Sequence, residues 1–85
     1  MTNDSKSKKL EKGVYRHNKS GKLYEVLGIA LQTEANESLV LYRPLYAHDF
    51  GYELFARPYE MFVEVVELNG KKQPRFEKVE EKRVE

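Results

Sequence analysis

Leu23-Tyr24-Glu25-Val26-Leu27-Gly28-Ile29-Ala30-Leu31 is the most apolar stretch of the chain, and it decides the fold. Leu23, Leu27, Ile29 and Leu31 fall on one side of an extended chain, and Tyr24, Val26 and Ala30 on the other. That pattern predicts a central strand buried on both faces. Gly28 inside the run predicts a bulge or bend, the device by which small sheets curl toward closure.

Working outward, the neighbouring segments also read as β. Gly13-Val14-Tyr15-Arg16-His17 is a short strand, followed by the turn Asn18-Lys19-Ser20-Gly21, whose Asn and Gly supply positive φ. Gln32 to Ser38 is polar and reads as a loop, and Leu39 to Arg43 is a strand stopped by Pro44. His48-Asp49-Phe50-Gly51 predicts a turn, and Tyr52 to Arg57 the next strand. Pro58-Tyr59-Glu60-Met61-Phe62 reads as one helical turn, with Pro at a favoured first position and Met61 and Phe62 placed to cap a barrel. Val63 to Leu68 and Lys71 to Phe76 flank Asn69-Gly70, a type I′ hairpin signature.

The fold expected is all-β with a minor helical element: a small five- to six-stranded antiparallel SH3-like barrel with one helical turn near residues 58–62. An open antiparallel sheet with one short helix is the alternative. Residues 1–11 read as a disordered tail, 12–77 as a single β domain, and 78–85 as a charged C-terminal tail.

The chain has 85 residues, enough for one domain with one core and little room for an enclosed substrate cavity. Cysteine is absent, which removes disulfides and thiolate zinc sites and fits a reducing compartment. The first residues carry no secretory apolar run, and no stretch approaches the roughly 20 apolar residues that span a bilayer. A soluble cytoplasmic protein with no membrane partner is expected. The net charge is +1, which argues against a strong non-specific polyanion binder but leaves room for a local basic patch.

Several of these pieces resemble a known family. The stretch from Gly13 to Ala30 is similar to the opening of a small bacterial family catalogued as domain of unknown function 1653. Leu39 to Arg43, Arg57-Pro58 followed by Met61-Phe62, and Asn69-Gly70 through Pro74-Arg75-Phe76 resemble the rest of its pattern, in order, over about residues 13–77. Two positions depart: Leu31-Gln32 stand where the family tends to have a basic residue and histidine, and Phe55 where it usually has tryptophan. The first departure weakens any pairing of His17 with a second histidine. The resemblance implies a stand-alone or appended bacterial domain and brings no activity, cofactor or catalytic residue with it.

The arginines are the most suggestive functional feature. Four of the five lie beside an aromatic residue or a proline, in Tyr15-Arg16, Tyr42-Arg43-Pro44, Arg57-Pro58-Tyr59 and Pro74-Arg75-Phe76, while the ten lysines occupy tails and turns. Guanidinium stacks on rings and grips carboxylate or phosphate with a planar fork, which ammonium does not. Arg16 shares a face with Val14, Arg43 with Leu39 and Leu41, and Arg57 with Phe55, each at a strand end. If those apolar residues point inward, the arginines converge at a barrel rim, with Tyr15, Tyr42, Tyr59 and Phe76 as stacking surfaces. The opposing interpretation pairs each arginine with Glu25, Glu53, Glu60 or Glu64 as framework.

His17 shares a face with Tyr15 and is either an acid–base group or a hydrogen-bonding surface residue. His48-Asp49 lacks a third ligand at metal-binding spacing. Ser20-Gly21-Lys22 lacks the glycine spacing of a phosphate loop, and no serine stands in a nucleophile elbow. Glu64 and Glu67 fall on opposite strand faces and cannot share acid–base work.

The sequence thus points to a binding module rather than an enzyme, with no cofactor and no metal. The expected ligand is anionic, a nucleic acid, nucleotide or acidic peptide, bound by Arg16, Arg43, Arg57, Tyr15, Tyr42, Tyr59 and His17. The alternative is a protein–protein adaptor or homo-oligomerising domain that uses the edge around residues 44–50, with Leu45, Tyr46 and Phe50 exposed.

Overall fold

The computed structural model describes residues 8–79. The expected tail segments 1–7 and 80–85 lie outside the described residues. The described chain forms β1 (Gly13–His17), β2 (Leu23–Gln32), β3 (Glu37–Pro44), β4 (Phe55–Pro58), α1 (Tyr59–Phe62), β5 (Val65–Leu68), β6 (Lys71–Pro74) and β7 (Phe76–Lys78). Five strands make one antiparallel sheet in the order β4-β3-β2-β1-β7, and β5 and β6 pair only with each other. The fold is all-β with one short helix, as the residue pattern predicts. The sheet is a curled half-barrel rather than a closed one, with β4 and β7 at its two edges.

The bulge expected at Gly28 is present, since the β2–β3 register shifts between Val26 and Gly28. Its consequence corrects the two-sided burial expected of β2. Val26 lies opposite Tyr42 and Ile29 opposite Val40, so the extra residue reverses the alternation and keeps Tyr24, Val26 and Ile29 on the concave side. Among the described residues the buried side chains of the sheet, Tyr15, Val26, Val40, Tyr42 and Phe76, all belong to the concave side. Leu23, on the convex side, is 40% exposed, and Leu31, at the far end of β2 opposite Ser38, is 59% exposed, while Val26 is buried.

The core consists of Tyr15, Val26, Val40, Tyr42, Phe62 and Phe76, with Leu10, Tyr24, Phe55, Tyr59 and Val63 packed around it. It is an aromatic core, suited to a small domain because each ring buries a large area. The helical turn forms where Pro58-Tyr59 predicts it. It drops Phe62 into the hollow of the sheet, stacked on Phe76 at 4.1 Å with planes 6° apart. Met61, expected to cap the barrel beside it, is exposed, because one helical turn can aim only part of its circumference inward.

The Asn69-Gly70 turn joins β5 to β6 with φ of 53° and 79°, the positive pair that a type I′ hairpin requires. Residues 45–54 form a loop, so β4 begins at Phe55 and not at Tyr52. Residues 8–11, assigned from sequence to the disordered tail, lie against the domain. Tyr59 Oη donates to the Lys9 carbonyl at 3.0 Å, Tyr15 Oη donates to the Glu11 carbonyl at 2.8 Å, and Lys8 pairs with Glu60 at 3.0 Å. At the other end Lys78, placed in the charged tail, closes β7.

Candidate anion-binding surface

Strand alternation sends the arginines to different faces. Tyr15 and Tyr42 are buried on the concave side, so their neighbours Arg16 and Arg43 point to the convex side. Arg16 lies opposite Glu77 on β7 and pairs with it at 3.2 Å, its Nε also donating to Asn18 Oδ1 at 3.1 Å. Arg43 lies opposite Glu25 on β2, its Nη2 and Nε both donating to Oε1 at 2.7 and 2.8 Å. These are exposed cross-strand ion pairs, each contributing about 0–1 kcal/mol. The expected convergence of Arg16, Arg43 and Arg57 on one rim does not occur. The reason is that tyrosines, rather than Leu39 and Leu41, take the inward positions.

Arg57 lies opposite Val40, which is wholly buried, and therefore on the concave face. Its Nε donates to Tyr42 Oη at 3.2 Å, and its guanidinium carbon sits 5.4 Å from the centre of the Phe76 ring. Among the described residues Arg16, Arg43 and Arg75 each pair with a carboxylate, and Arg57 does not. Its two terminal nitrogens likewise make no hydrogen bond among the described residues.

His17 lies opposite Phe76 in the β1–β7 ladder, with ring centres 4.9 Å apart. The Ser20 backbone N–H donates to His17 Nδ1 at 3.3 Å, and the Ser20 hydroxyl lies 2.9 Å from the same nitrogen. An amide N–H only donates, so Nδ1 is the acceptor and the neutral ring carries its proton on Nε2. Burial lowers the His17 pKa, and the positive charges of Arg57, Arg75 and Lys19 lower it further. Arg75 itself pairs with Glu64 at 3.0 Å, while its Nε is buried without a partner among the described residues. A cleft of about 230 Å³ opens beside His17, Lys19 and Arg75, against Val66 and Leu68 of the β5–β6 hairpin.

Of the residues singled out from sequence, Arg57, Tyr42 and His17 thus gather on the concave side. Tyr42 is buried and presents its hydroxyl rather than a ring face. Tyr15 is buried too, and its phenol pKa is raised by burial, then by Glu11 and Tyr59. Tyr59 anchors the Lys9 backbone. Residues missed in the sequence complete the surface: Tyr24, whose hydroxyl meets that of Tyr46 at 2.7 Å, and Arg75 with Lys19. Burial and then the Tyr46 hydrogen bond push the Tyr24 phenol pKa well upward. Arg75 carried a signal, since it shares the aromatic-neighbour pattern of Arg57. What placed it was the β1–β7 pairing, which no local pattern reveals.

Loop 45–54 borders this surface. Leu45, Phe50, Tyr52 and Leu54 are exposed on it, and Tyr46, His48, Phe50 and Phe55 form a chain of ring contacts. Among the described residues no three His, Asp or Glu side chains gather to hold a metal ion, and no helix is long and apolar enough to cross a membrane.

Comparison with known proteins agrees with this architecture. A family model described as protein of unknown function (DUF1653) matches residues 13–78. The chain is also similar to the crystal structure of a DUF1653 protein from Bordetella bronchiseptica. The two are 37% identical with a TM-score of 0.78, over 89% of this chain and 95% of that one. No curated protein matches.

Proposed function

The chain belongs to the DUF1653 family, and from that premise we propose that it is a small SH3-like binding module of the bacterial cytoplasm that takes an anionic ligand at Arg57. One observation carries this reading: a guanidinium held in place by the Tyr42 hydroxyl and the Phe76 ring, with no carboxylate partner among the described residues. A pre-oriented fork with unused N–H groups suits a carboxylate or phosphate, since little side-chain freedom remains to be lost on binding. His17 Nε2–H and Arg75 flank it as further donors. Arg16, Arg43, Tyr15 and Tyr59 belong to the framework in this reading. The ligand class is that of nucleic acids, nucleotides and acidic peptides, and no catalytic step is assigned.

The test is a chemical-shift titration of the full chain with inorganic phosphate and with an acidic peptide. Shifts should cluster at His17, Arg57 and Arg75, vanish in Arg57→Gln and persist in Arg43→Gln. A cluster on the convex face, around Arg16 and Arg43, would defeat the reading.

A second reading has its own observation. Leu45, Phe50, Tyr52 and Leu54 are exposed on one loop beside edge strand β4, as an adaptor or self-associating surface would be. Light scattering across a concentration series distinguishes it: self-association that Leu54→Glu abolishes supports it, and a monomer at all concentrations removes the homo-oligomeric form.

A further inference from the structure

Loop 45–54 holds its rings in a fixed order. His48 and Phe50 stack at 5.0 Å with planes 27° apart, and the Phe50 backbone N–H donates to His48 Nδ1 at 3.2 Å, so the pair is tied by the main chain. Phe50 next meets Phe55 at 5.6 Å, and Phe55 meets Tyr42 at 5.7 Å. The Tyr42 hydroxyl in turn holds Arg57. Phe55 and Arg57 stand on the same face of β4, two residues and hence about 7 Å apart. A continuous aromatic path therefore runs from an exposed ring to the arginine that has no carboxylate partner among the described residues.

Phe50 is 57% exposed, a large fraction for a ring already stacked on a neighbour. A pre-organised π surface joined through Phe55 to a guanidinium with no carboxylate partner among the described residues fits a ligand with a flat π face joined by a spacer to an oxyanion. Lys22 adds positive charge at the near end of the loop, its Nζ 4.7 Å from the centre of the Tyr46 ring. Asp49 and Glu53 lie in the same loop and disfavour a long polyanion along its whole length. The charge pattern therefore suits a short anionic unit. A purely apolar partner would cover Phe50 and leave Arg57 unused.

We infer that Phe50 and Arg57 form the two ends of a nucleotide-unit site, the base stacking on Phe50 and the phosphate taking the Arg57 fork. This rests on the reading of Arg57 as an anion site and adds the base. The unit is a free nucleoside monophosphate or one residue of a single strand.

The experiment titrates the full chain with inorganic phosphate, adenosine monophosphate and a short oligoadenylate, for the natural sequence and for Phe50→Ala, Phe50→Leu and Arg57→Gln. The thermal midpoint of each variant reports its folding. Adenosine monophosphate should bind on the order of tenfold more tightly than phosphate, the gain that one stacked base supplies. Both Phe50 variants should lose that gain and keep the phosphate affinity, because leucine restores bulk without a π face. Arg57→Gln should lose phosphate binding. Oligoadenylate binding tighter than the monophosphate identifies a strand as the source, and equal binding identifies the free nucleotide. Equal affinity for phosphate and monophosphate, or a Phe50→Leu variant that binds monophosphate normally, overturns the inference while leaving Arg57 as an anion site. Failure of phosphate and monophosphate alike overturns both. Self-association that buries Phe50 without any ligand assigns the loop to a second copy and also overturns it.

Discussion

The guanidinium of Arg57, on edge strand β4, lies over the ring of Phe76, on the opposite edge strand β7, 5.4 Å from its centre. The two strands end the sheet on either side and share no backbone ladder. The cation–π contact thus bridges the opening of the half-barrel, and the hydrogen bond from Arg57 to Tyr42 on neighbouring β3 steadies the guanidinium there.

Replacing Arg57 by alanine should cost about 1–2 kcal/mol, the sum of a partly buried cation–π contact and one hydrogen bond. Arg43→Ala or Arg16→Ala should cost about 0–1 kcal/mol, because each removes only an exposed ion pair. Urea midpoints for the three variants give the order directly, and an Arg43 variant less stable than the Arg57 variant would refute the assignment of faces.

Phe62→Ala should be far more damaging. Phe62 is 1% exposed and stacks on Phe76 while touching Tyr15 and Tyr42 edge-on. Truncating such a ring costs about 3–5 kcal/mol, a large part of the stability of so small a domain. The expected outcome is loss of dispersed amide signals at room temperature. Met61→Ala, one residue earlier and exposed, should leave the spectrum intact.

His17 makes stability depend on pH. Its folded pKa lies below the unfolded value of about 6.5, so the unfolded chain takes up its proton first as pH falls. The contribution of the neutral ring is complete above about pH 6.5 and is lost progressively below it, through the lowered folded pKa. Protonation also puts a hydrogen on Nδ1, where the Ser20 N–H already points. Thermal midpoints from neutral to mildly acidic pH should fall for the natural sequence and fall less for His17→Gln. Equal slopes would show that the carboxylates alone set the dependence.

Gly70→Ala isolates a backbone effect. An added Cβ meets nothing within 4 Å, yet φ is +79°. The left-handed conformation should cost about 1–2 kcal/mol with no packing term. Hydrogen exchange should show the loss first in β5 and β6, which pair with no other strand.

Most of the strands, the Asn69-Gly70 hairpin and the helical turn at Tyr59 were legible because each is set by local chemistry, whereas the late start of β4 at Phe55 and the break at Arg75 between β6 and β7 were not. The faces were not. Reading the leucines inward is natural, but Leu39 and Leu41 flank the buried Val40, and Tyr15 and Tyr42 are the residues that turn in. A tyrosine ring fills more of a single-layer core than leucine does, and here both hydroxyls find partners, at the Glu11 carbonyl and at Arg57. Gly28 announced a bulge, but its reversal of alternation in β2 depends on which strand lies opposite. The candidate site follows the same rule. Arg57 and His17 could be named from sequence, whereas their meeting with Phe76 and Arg75 depends on β7 returning to pair with β1.

A barrel closed by its own backbone is a rivet; this one is a clasp. Its two lips are held by Arg57 resting on Phe76 and by Phe62 wedged beneath, contacts that can part and re-form without breaking one rung of the main-chain ladder. Whatever engages Arg57 therefore acts on the fastening itself, so occupancy of the surface and tightness of the fold should rise and fall together.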